Sequence, residues 1–270
     1  MDGPRRRQEI STGAMTQTEQ PLAGGLLTGR VVRVGDTVRR EAGPWSSTIH
    51  ALLARLRARG FPAPRPLGFD EAGREILSFV EGRASNWPWP AALLATEGAA
   101  KVGAFLRRYH DAVAGFTPPA PAVWRHGAQP LRPGQVALHG DFGPHNLIWR
   151  DDELCGLIDF ELARPGDPLE DAGFAVIRAA QLRPDDMTRP PGFPTPPDRA
   201  RRLAAFAEGY GCARGDLVEA ALSAQRDEIE RIAQLGAAGV EPWATFRERG
   251  LAAVARQELD WIEQHAASLA

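Results

Sequence analysis

The spacing of hydrophobic positions changes period twice in the first third of the chain. Val31-Val32-Arg33-Val34 and Thr37-Val38-Arg39-Arg40 flank Gly35-Asp36, the pattern of a hairpin with a Gly-Asp turn. From Ser46 to Arg59 the apolar residues Ile49, Leu52, Leu53 and Leu56 recur at three and four. Ser46 or Ser47 stands where such a helix is capped, and Gly60 where it ends, so one amphipathic helix is predicted. Pro62, Pro64 and Pro66 then keep the chain extended to Leu67-Gly68-Phe69, and Asp70-Glu71-Ala72-Gly73 turns it into a strand over Glu75 to Val80.

Gly82 to Pro90, containing Trp87-Pro88-Trp89-Pro90, breaks all periodicity and marks a boundary between two lobes. Beyond it the pattern is mainly helical. Leu94, Val102, Phe105, Leu106 and Tyr109 form one face of a helix over Leu93 to Val113. Further helices are expected at about 171–181, 198–210, 215–235 and 242–266. Between these regions, Val136-Ala137-Leu138 and Leu154-Cys155-Gly156-Leu157-Ile158 read as short strands joined by a loop. The organisation is therefore α+β: an extension over 1–20, a small antiparallel β lobe with one helix over 21–82, and a larger, mainly α-helical lobe over 83–270.

Composition narrows what such a chain does. Lys+Arg 32 against Asp+Glu 34 leaves a formal net charge of -2. The overall field therefore does not attract nucleic acid or an anionic membrane, and any phosphate must be bound locally. Arg5-Arg6-Arg7 reads as part of a tail and Arg199-Ala200-Arg201-Arg202 as a solvated helix face. Cys155 and Cys212 lack metal-ligand spacing and read as two reduced thiols, which suits the cytoplasm. No apolar run reaches the length of a membrane span. Met1 and Met15 both remain possible starts, and a monomer or a homodimer fits equally well.

The unusual residues are concentrated at strand ends. His139-Gly140-Asp141-Phe142-Gly143-Pro144-His145-Asn146 has the form H-x-D-x-x-x-x-N. In a kinase catalytic loop with this spacing, Asp receives the acceptor hydroxyl's proton and Asn binds a magnesium ion. The competing reading is a turn rich in side-chain to backbone bonds. Leu157-Ile158-Asp159-Phe160-Glu161 is an apolar strand ending in a carboxylate, where a rigidly held metal ligand belongs. A hairpin-sized segment separates the two acidic strand ends, so Asp141, Asn146 and Asp159 can converge. Hard oxygen ligands of this kind suit Mg²⁺, whereas His110, His139 and His145 form no zinc pattern. Asp171, at the expected start of a helix, reads as a stabiliser of free N–H groups. Glu161 reads equally as a ligand for a second metal or as a solvated edge.

These residues resemble the aminoglycoside phosphotransferase and choline kinase-like family. The resemblance is strongest from Leu138 to Gly173, where the loop and Ile158-Asp159-Phe160 are followed by Gly166-Asp167-Pro168 and Asp171. It implies a bilobal protein kinase-like fold that takes ATP or GTP with Mg²⁺ between the lobes and moves a phosphoryl group to a small-molecule hydroxyl. Asp141 is then the base, Asn146 and Asp159 the metal ligands, His139 a structural member of the catalytic loop, and Asp171 its support. The turn with Gly24, Gly25 and Gly29 approaches the phosphates. Arg39 or Arg40 supplies the cation, the choice left open because adjacent strand residues face opposite ways. Phe79 and Val80 belong to a hinge, Ser78 to Gly82, whose backbone bonds the purine edge. His50 stands where the family's helix carries Glu, so Glu41, Glu75 or phosphate must orient the cation. That departure, with no lysine in the nucleotide lobe, motivates the alternative of a nucleotide-binding, pseudokinase-like regulatory module without turnover. Asp227, Glu228, Glu230, Glu258, Asp260 and Glu263 read mainly as solvated surface, with a site for an aminated acceptor as the alternative.

Overall fold

The computed structural model describes residues 18–22, 31–85 and 87–270. The expected glycine turn at Gly24, Gly25 and Gly29 lies outside the described residues. The smaller lobe is an antiparallel sheet of β1 (Gln20–Pro21), β2 (Val32–Val34), β3 (Thr37–Arg40), β4 (Pro66–Phe69) and β5 (Glu75–Ser78), in the order β1-β2-β3-β5-β4. The β2–β3 hairpin closes at the expected Gly-Asp turn, with Val34 opposite Thr37. Helix α1 (Ser46–Ala58) buries Ile49, Leu52, Leu53 and Leu56 completely, which is the stripe its spacing requires. Its start differs from expectation. The N-cap is Trp45 without a side-chain cap, and the Ser46 hydroxyl instead accepts the Gly43 N–H at 3.1 Å.

The larger lobe begins with β6 (Arg83–Ala84), α2 (Ala91–Leu94) and α3 (Thr96–Val113). One helix was expected over 93–113, but Ala95 adopts φ −64°, ψ 154° and splits it. The bonds that meet this split come from α5 (Arg199–Tyr210), where Arg202 is buried and forms no ion pair with an acid among the described residues. Its guanidinium donates to the carbonyls of Leu93 (2.9 Å), Leu94 (2.7 Å) and Ala95 (2.7 Å), and to Ala179 (2.7 and 2.9 Å) at the end of α4 (Pro168–Ala179). These are carbonyls that a helix leaves unpaired at its C-terminus. Burial brings the guanidinium down to about 10, which still leaves it charged at neutral pH. Gly103 and Gly209 let α3 and α5 pack backbone to backbone, since a Cβ on either meets a carbonyl of the other helix.

Between α3 and α4 run β7 (Val123–Trp124), β8 (Gly127–Ala128), β9 (Val136–Leu138), β10 (Leu147–Arg150), β11 (Glu153–Leu157) and β12 (Arg164–Gly166). Sequence periodicity missed β10, because Leu-Ile-Trp is buried throughout and shows no alternation. β10 pairs with β11 and also with β6, tying the motif region to the segment entering this lobe. The chain closes with α6 (Arg214–Ala237), α7 (Trp243–Glu248) and α8 (Leu251–Leu269). The single helix expected over 242–266 is two, because Gly250 at φ +70° ends the first. Among the described residues no helix is long and apolar enough to cross a membrane, and both cysteines are free thiols.

Replacing Arg202 with Leu strands the end carbonyls of two helices while keeping the site apolar. A loss of at least about 3 kcal/mol in unfolding free energy is expected, measured by urea denaturation. A change within 0.5 kcal/mol, roughly the size of an ordinary surface substitution, would refute the structural role assigned to it.

Candidate functional site

The catalytic-loop sequence leaves β9 at Leu138 and is fixed from below. Asp171 lies one turn inside α4, and its carboxylate accepts the backbone N–H groups of His139 (2.7 Å) and Gly140 (3.0 Å). The expectation that Asp171 caps its own helix is corrected here. Asp167 is the N-cap, forming a capping box with Glu170, and this frees Asp171 to face the loop. Burial pushes the Asp171 carboxyl up, but His110, His139 and the two backbone donors hold it below the usual range. Gly140 has φ +81°, and a side chain there meets the Leu162 carbonyl.

His139 is fully buried and does not open into the cleft. Its Nε2 lies 3.0 Å from the Ile158 carbonyl, so that nitrogen donates, while Nδ1 accepts the Asp141 N–H at 3.2 Å. Both ring nitrogens are used by a neutral imidazole, and burial lowers its pKa despite Asp171 and Asp141. His139 thus links the backbone at Asp141 to the residue preceding Asp159.

Asp141 and Asn146 come together as the spacing requires. Asn146 Nδ2 donates to the Asp141 carbonyl (3.0 Å) and to Asp141 Oδ2 (2.9 Å), which leaves Asn146 Oδ1 outside these bonds. A residue missed in the sequence, His145, places Nε2 2.9 Å from the same Oδ2. The only sequence signal for it was its position inside the motif. With Oδ2 engaged twice, Asp141 Oδ1 takes no hydrogen bond among the described residues. Burial raises the Asp141 carboxyl, yet His145 and more distantly His139 and Arg178 bring it below its ordinary value. Burial pushes His145 down, but the charge and the hydrogen bond of Asp141, with Asp159 further off, together leave it above its ordinary value.

Asp159 follows β11 in the left-handed conformation, φ 66°, ψ 66°, at the start of a short 3₁₀ turn over Phe160–Leu162. The cation facing it is Arg40. Arg40 Nη1 is 3.0 Å from Asp159 Oδ1, and its Nε bonds Glu75 Oε2. Arg39 points to the other face of β3, 3.8 Å from Asp70 and 2.5 Å from the Thr37 hydroxyl. Glu75 is opposite Arg40 in the β3–β5 register, and its Oε1 is 2.7 Å from His50 Nε2. Glu41 makes no bond to this cation among the described residues. Glu161, read as a metal ligand or a solvated edge, is buried and 3.1 Å from Arg125, whose guanidinium lies 4.6 Å over the Trp45 ring. Burial and the Asp159 charge push its carboxyl up to about 7, against Arg40 and Arg125.

At the hinge, the Phe79 N–H donates to the Asp36 carbonyl (2.8 Å) and its ring carries Arg33 at 3.8 Å. The Val80 N–H has no partner among the described residues. On the helical lobe, the acids grouped by sequence are largely paired with arginines: Asp227 and Glu228 with Arg231, Glu258 with Arg183, and Glu263 with Arg226. They do not form an open acidic surface.

Residues 117–222 match the family described as "Phosphotransferase enzyme family". The trifolitoxin immunity protein of Rhizobium leguminosarum bv. trifolii is 40% identical over 199 residues, covering 72% of this chain and 74% of that protein. Among solved structures, a choline/ethanolamine kinase family protein from Mesorhizobium loti superimposes with a TM-score of 0.57 at 17% identity, covering 95% of this chain and 94% of that one. An amicoumacin kinase in complex with AMP-PNP, Ca²⁺ and Ami gives 0.54 at 13% identity, covering 76% and 80%. Both structures share the kinase-like bilobal fold.

A glutamate held near 7 in the folded state and near 4.5 when unfolded favours folding below pH 4.5, and that advantage is lost as pH rises to 7. In metal-free buffer the wild type should therefore lose up to about 3 kcal/mol between pH 5 and 8 that Glu161→Gln keeps. Parallel stability curves for the two proteins would refute the assignment.

Proposed function

Because the chain belongs to the phosphotransferase enzyme family, we propose that it transfers the γ-phosphoryl group of ATP or GTP to a hydroxyl of a small molecule, with Asp141 as the base. The observation that carries this reading is the free Oδ1 of Asp141 beside Asn146 and Asp159. The division of labour follows the two lobes, nucleotide on 21–82 and acceptor on 83–270. The acceptor's hydroxyl hydrogen-bonds Asp141 Oδ1. As its oxygen bonds the γ-phosphorus, the bond from that phosphorus to the β–γ bridging oxygen breaks and the proton passes to Oδ1. His145 and Asn146 keep the carboxylate from rotating, so one lone pair always faces the hydroxyl.

The donor set fits a magnesium ion. Asn146 is turned by its two N–H bonds so that Oδ1 is the atom presented, and Asp159 offers a second hard oxygen across the loop. Among the described residues no cluster of three His, Cys, Asp or Glu could hold a metal. Two protein oxygens, completed by phosphate oxygens and water, match the way Mg²⁺ is held at phosphate sites. When bound, Mg²⁺ supplies positive charge that offsets the charge developing on the phosphoryl oxygens. Arg40 adds a fixed cation on the nucleotide side, and the Val80 N–H faces no competitor for a purine edge. The amicoumacin kinase complex, with AMP-PNP and Ca²⁺ bound, supports a nucleotide and a divalent cation as the working pair.

For the acceptor, the pairing of the helical-lobe acids with arginines argues against a polycation held by surface charge alone. The 40% identity to a trifolitoxin immunity protein makes a toxin one acceptor to try. The alternative of a regulatory module without turnover rests on the missing helix carboxylate and the missing lysine; against it, Glu75 supplies a carboxylate to Arg40 from β5, and Arg40 provides the cation that reaches Asp159.

Incubating the protein with Mg·ATP or Mg·GTP and a panel of hydroxyl compounds that includes trifolitoxin should show acceptor-dependent release of nucleoside diphosphate. Asp141→Ala is expected to lower kcat by about 10²- to 10⁴-fold with unchanged circular dichroism, and Asp159→Asn to raise the Mg²⁺ concentration needed for half-maximal rate. Tight nucleotide binding with no turnover of any acceptor supports the regulatory module, and full activity of Asp141→Ala removes Asp141 as the base.

A further inference from the structure

Four side chains form an unbroken line from α1 to the cleft: His50 Nε2 to Glu75 Oε1 at 2.7 Å, Glu75 Oε2 to Arg40 Nε, and Arg40 Nη1 to Asp159 Oδ1 at 3.0 Å. Glu75 and Arg40 are opposite each other on adjacent strands and are 1% and 6% exposed, so neither can turn to water for another partner. The outer side of His50 is closed by Phe69, stacked at 5.2 Å and 23°. Phe69 itself is half exposed, a large ring at the sheet edge that pays for its exposure only by covering this imidazole.

The chemistry of the line is directional. An ionised carboxylate only accepts, so His50 Nε2 must donate to it. Each carboxylate oxygen then has one donor, and the plane of the carboxylate is fixed by two contacts from different elements, α1 and β3. A guanidinium bound through Nε by such a carboxylate has its Nη groups directed away from β5, towards Asp159. With Glu75 bonded on one oxygen only, the carboxylate can rotate about its last torsion, and Arg40 loses its set position between two acids. Burial, Glu75 and Asp159 together determine the Arg40 guanidinium, with Glu161 a further charge nearby.

We propose that His50 is a positioning residue for nucleotide binding, which acts through Glu75 to hold Arg40 where it meets the phosphates. The inference rests on the kinase reading above. It adds that α1 must be docked, with its imidazole on Glu75, before the nucleotide lobe is competent. His50 stands at the end of the line farthest from Asp159, so its removal is expected to act on nucleotide affinity and to leave acceptor recognition alone.

The test compares His50→Ala, His50→Gln, Glu75→Gln and the double variant His50→Ala/Glu75→Gln, using KM for Mg·ATP, KM for the acceptor, and Mg·ATP affinity by calorimetry. His50→Ala is expected to raise the KM and the dissociation constant of Mg·ATP about tenfold, with the acceptor KM unchanged. His50→Gln, whose amide nitrogen takes the place of Nε2, should come back to within threefold of wild type. In the double variant the loss should be no greater than in Glu75→Gln, because the histidine acts only through that carboxylate. Unchanged nucleotide affinity in His50→Ala, no rescue by Gln, or additive losses in the double variant would overturn the proposal. A wild-type protein that binds neither Mg·ATP nor Mg·GTP would overturn the kinase reading and the proposal with it, whereas wild-type binding of either nucleotide with indifferent variants removes the proposal alone.

Discussion

A carboxylate buried to 3% exposure stays charged only if the interior supplies donors, and Asp171 finds them in the backbone of the very loop that carries the candidate base. The two N–H groups it accepts belong to His139 and Gly140, immediately before Asp141. The position of the base is therefore set from a helix in the core, independently of solvent and substrate. The surroundings follow from that choice. Gly140 must take a left-handed conformation beneath the Leu162 carbonyl, and Asp167 must take over the capping of α4 so that Asp171 is free. His139, sealed among Tyr109, Phe142 and Phe160, spends both ring nitrogens joining the two motif strands.

The cleft above this support is crowded with carboxylates: Asp141, Asp159, Glu75 and Glu161, with Arg40 in direct contact with two of them. Such a cluster is electrostatically unfavourable without compensation, and at Glu161 burial first, with the Asp159 charge beside it, pushes the carboxyl up. In this light Arg40 has a double part. It pairs with Glu75 and with Asp159 at once, from the two sides of one guanidinium.

What the sequence made legible was the spacing. H-x-D-x-x-x-x-N was enough to place Asn146 on Asp141, and the short segment that follows returns the chain so that Ile158, next to Asp159, bonds the Asn146 carbonyl. Alternation along β3 allowed either Arg39 or Arg40 to face the cleft, and only the register against β5 decides, since it sets Arg40 opposite Glu75. The partners of the centre were harder to see. His145 fills an unspecified position of the motif, and Arg125 reaches Glu161 from a two-stranded hairpin that carries no periodic signal. Breaks in helices were invisible for a related reason: Ala95 and its neighbours are ordinary helix formers, and the bonds that meet the break come from an arginine more than a hundred residues later.

That arginine has a consequence for how the sequence can drift. The hydrogen bonds of Arg202 all go to main-chain oxygens, at residues 93, 94, 95 and 179, with the Phe193 ring 5.1 Å from its guanidinium, so these bonds place no demand on which side chains occupy those four positions beyond what their own packing requires. All of the chemical specificity is concentrated at one end. In relatives that preserve this junction, position 202 should be nearly immovable while the positions it touches vary, the inverse of an ion pair, where a change on one side is answered by a change on the other. The junction leaves almost no covariation behind, and methods that recover contacts from correlated substitutions would pass over one of the most heavily bonded points in the molecule.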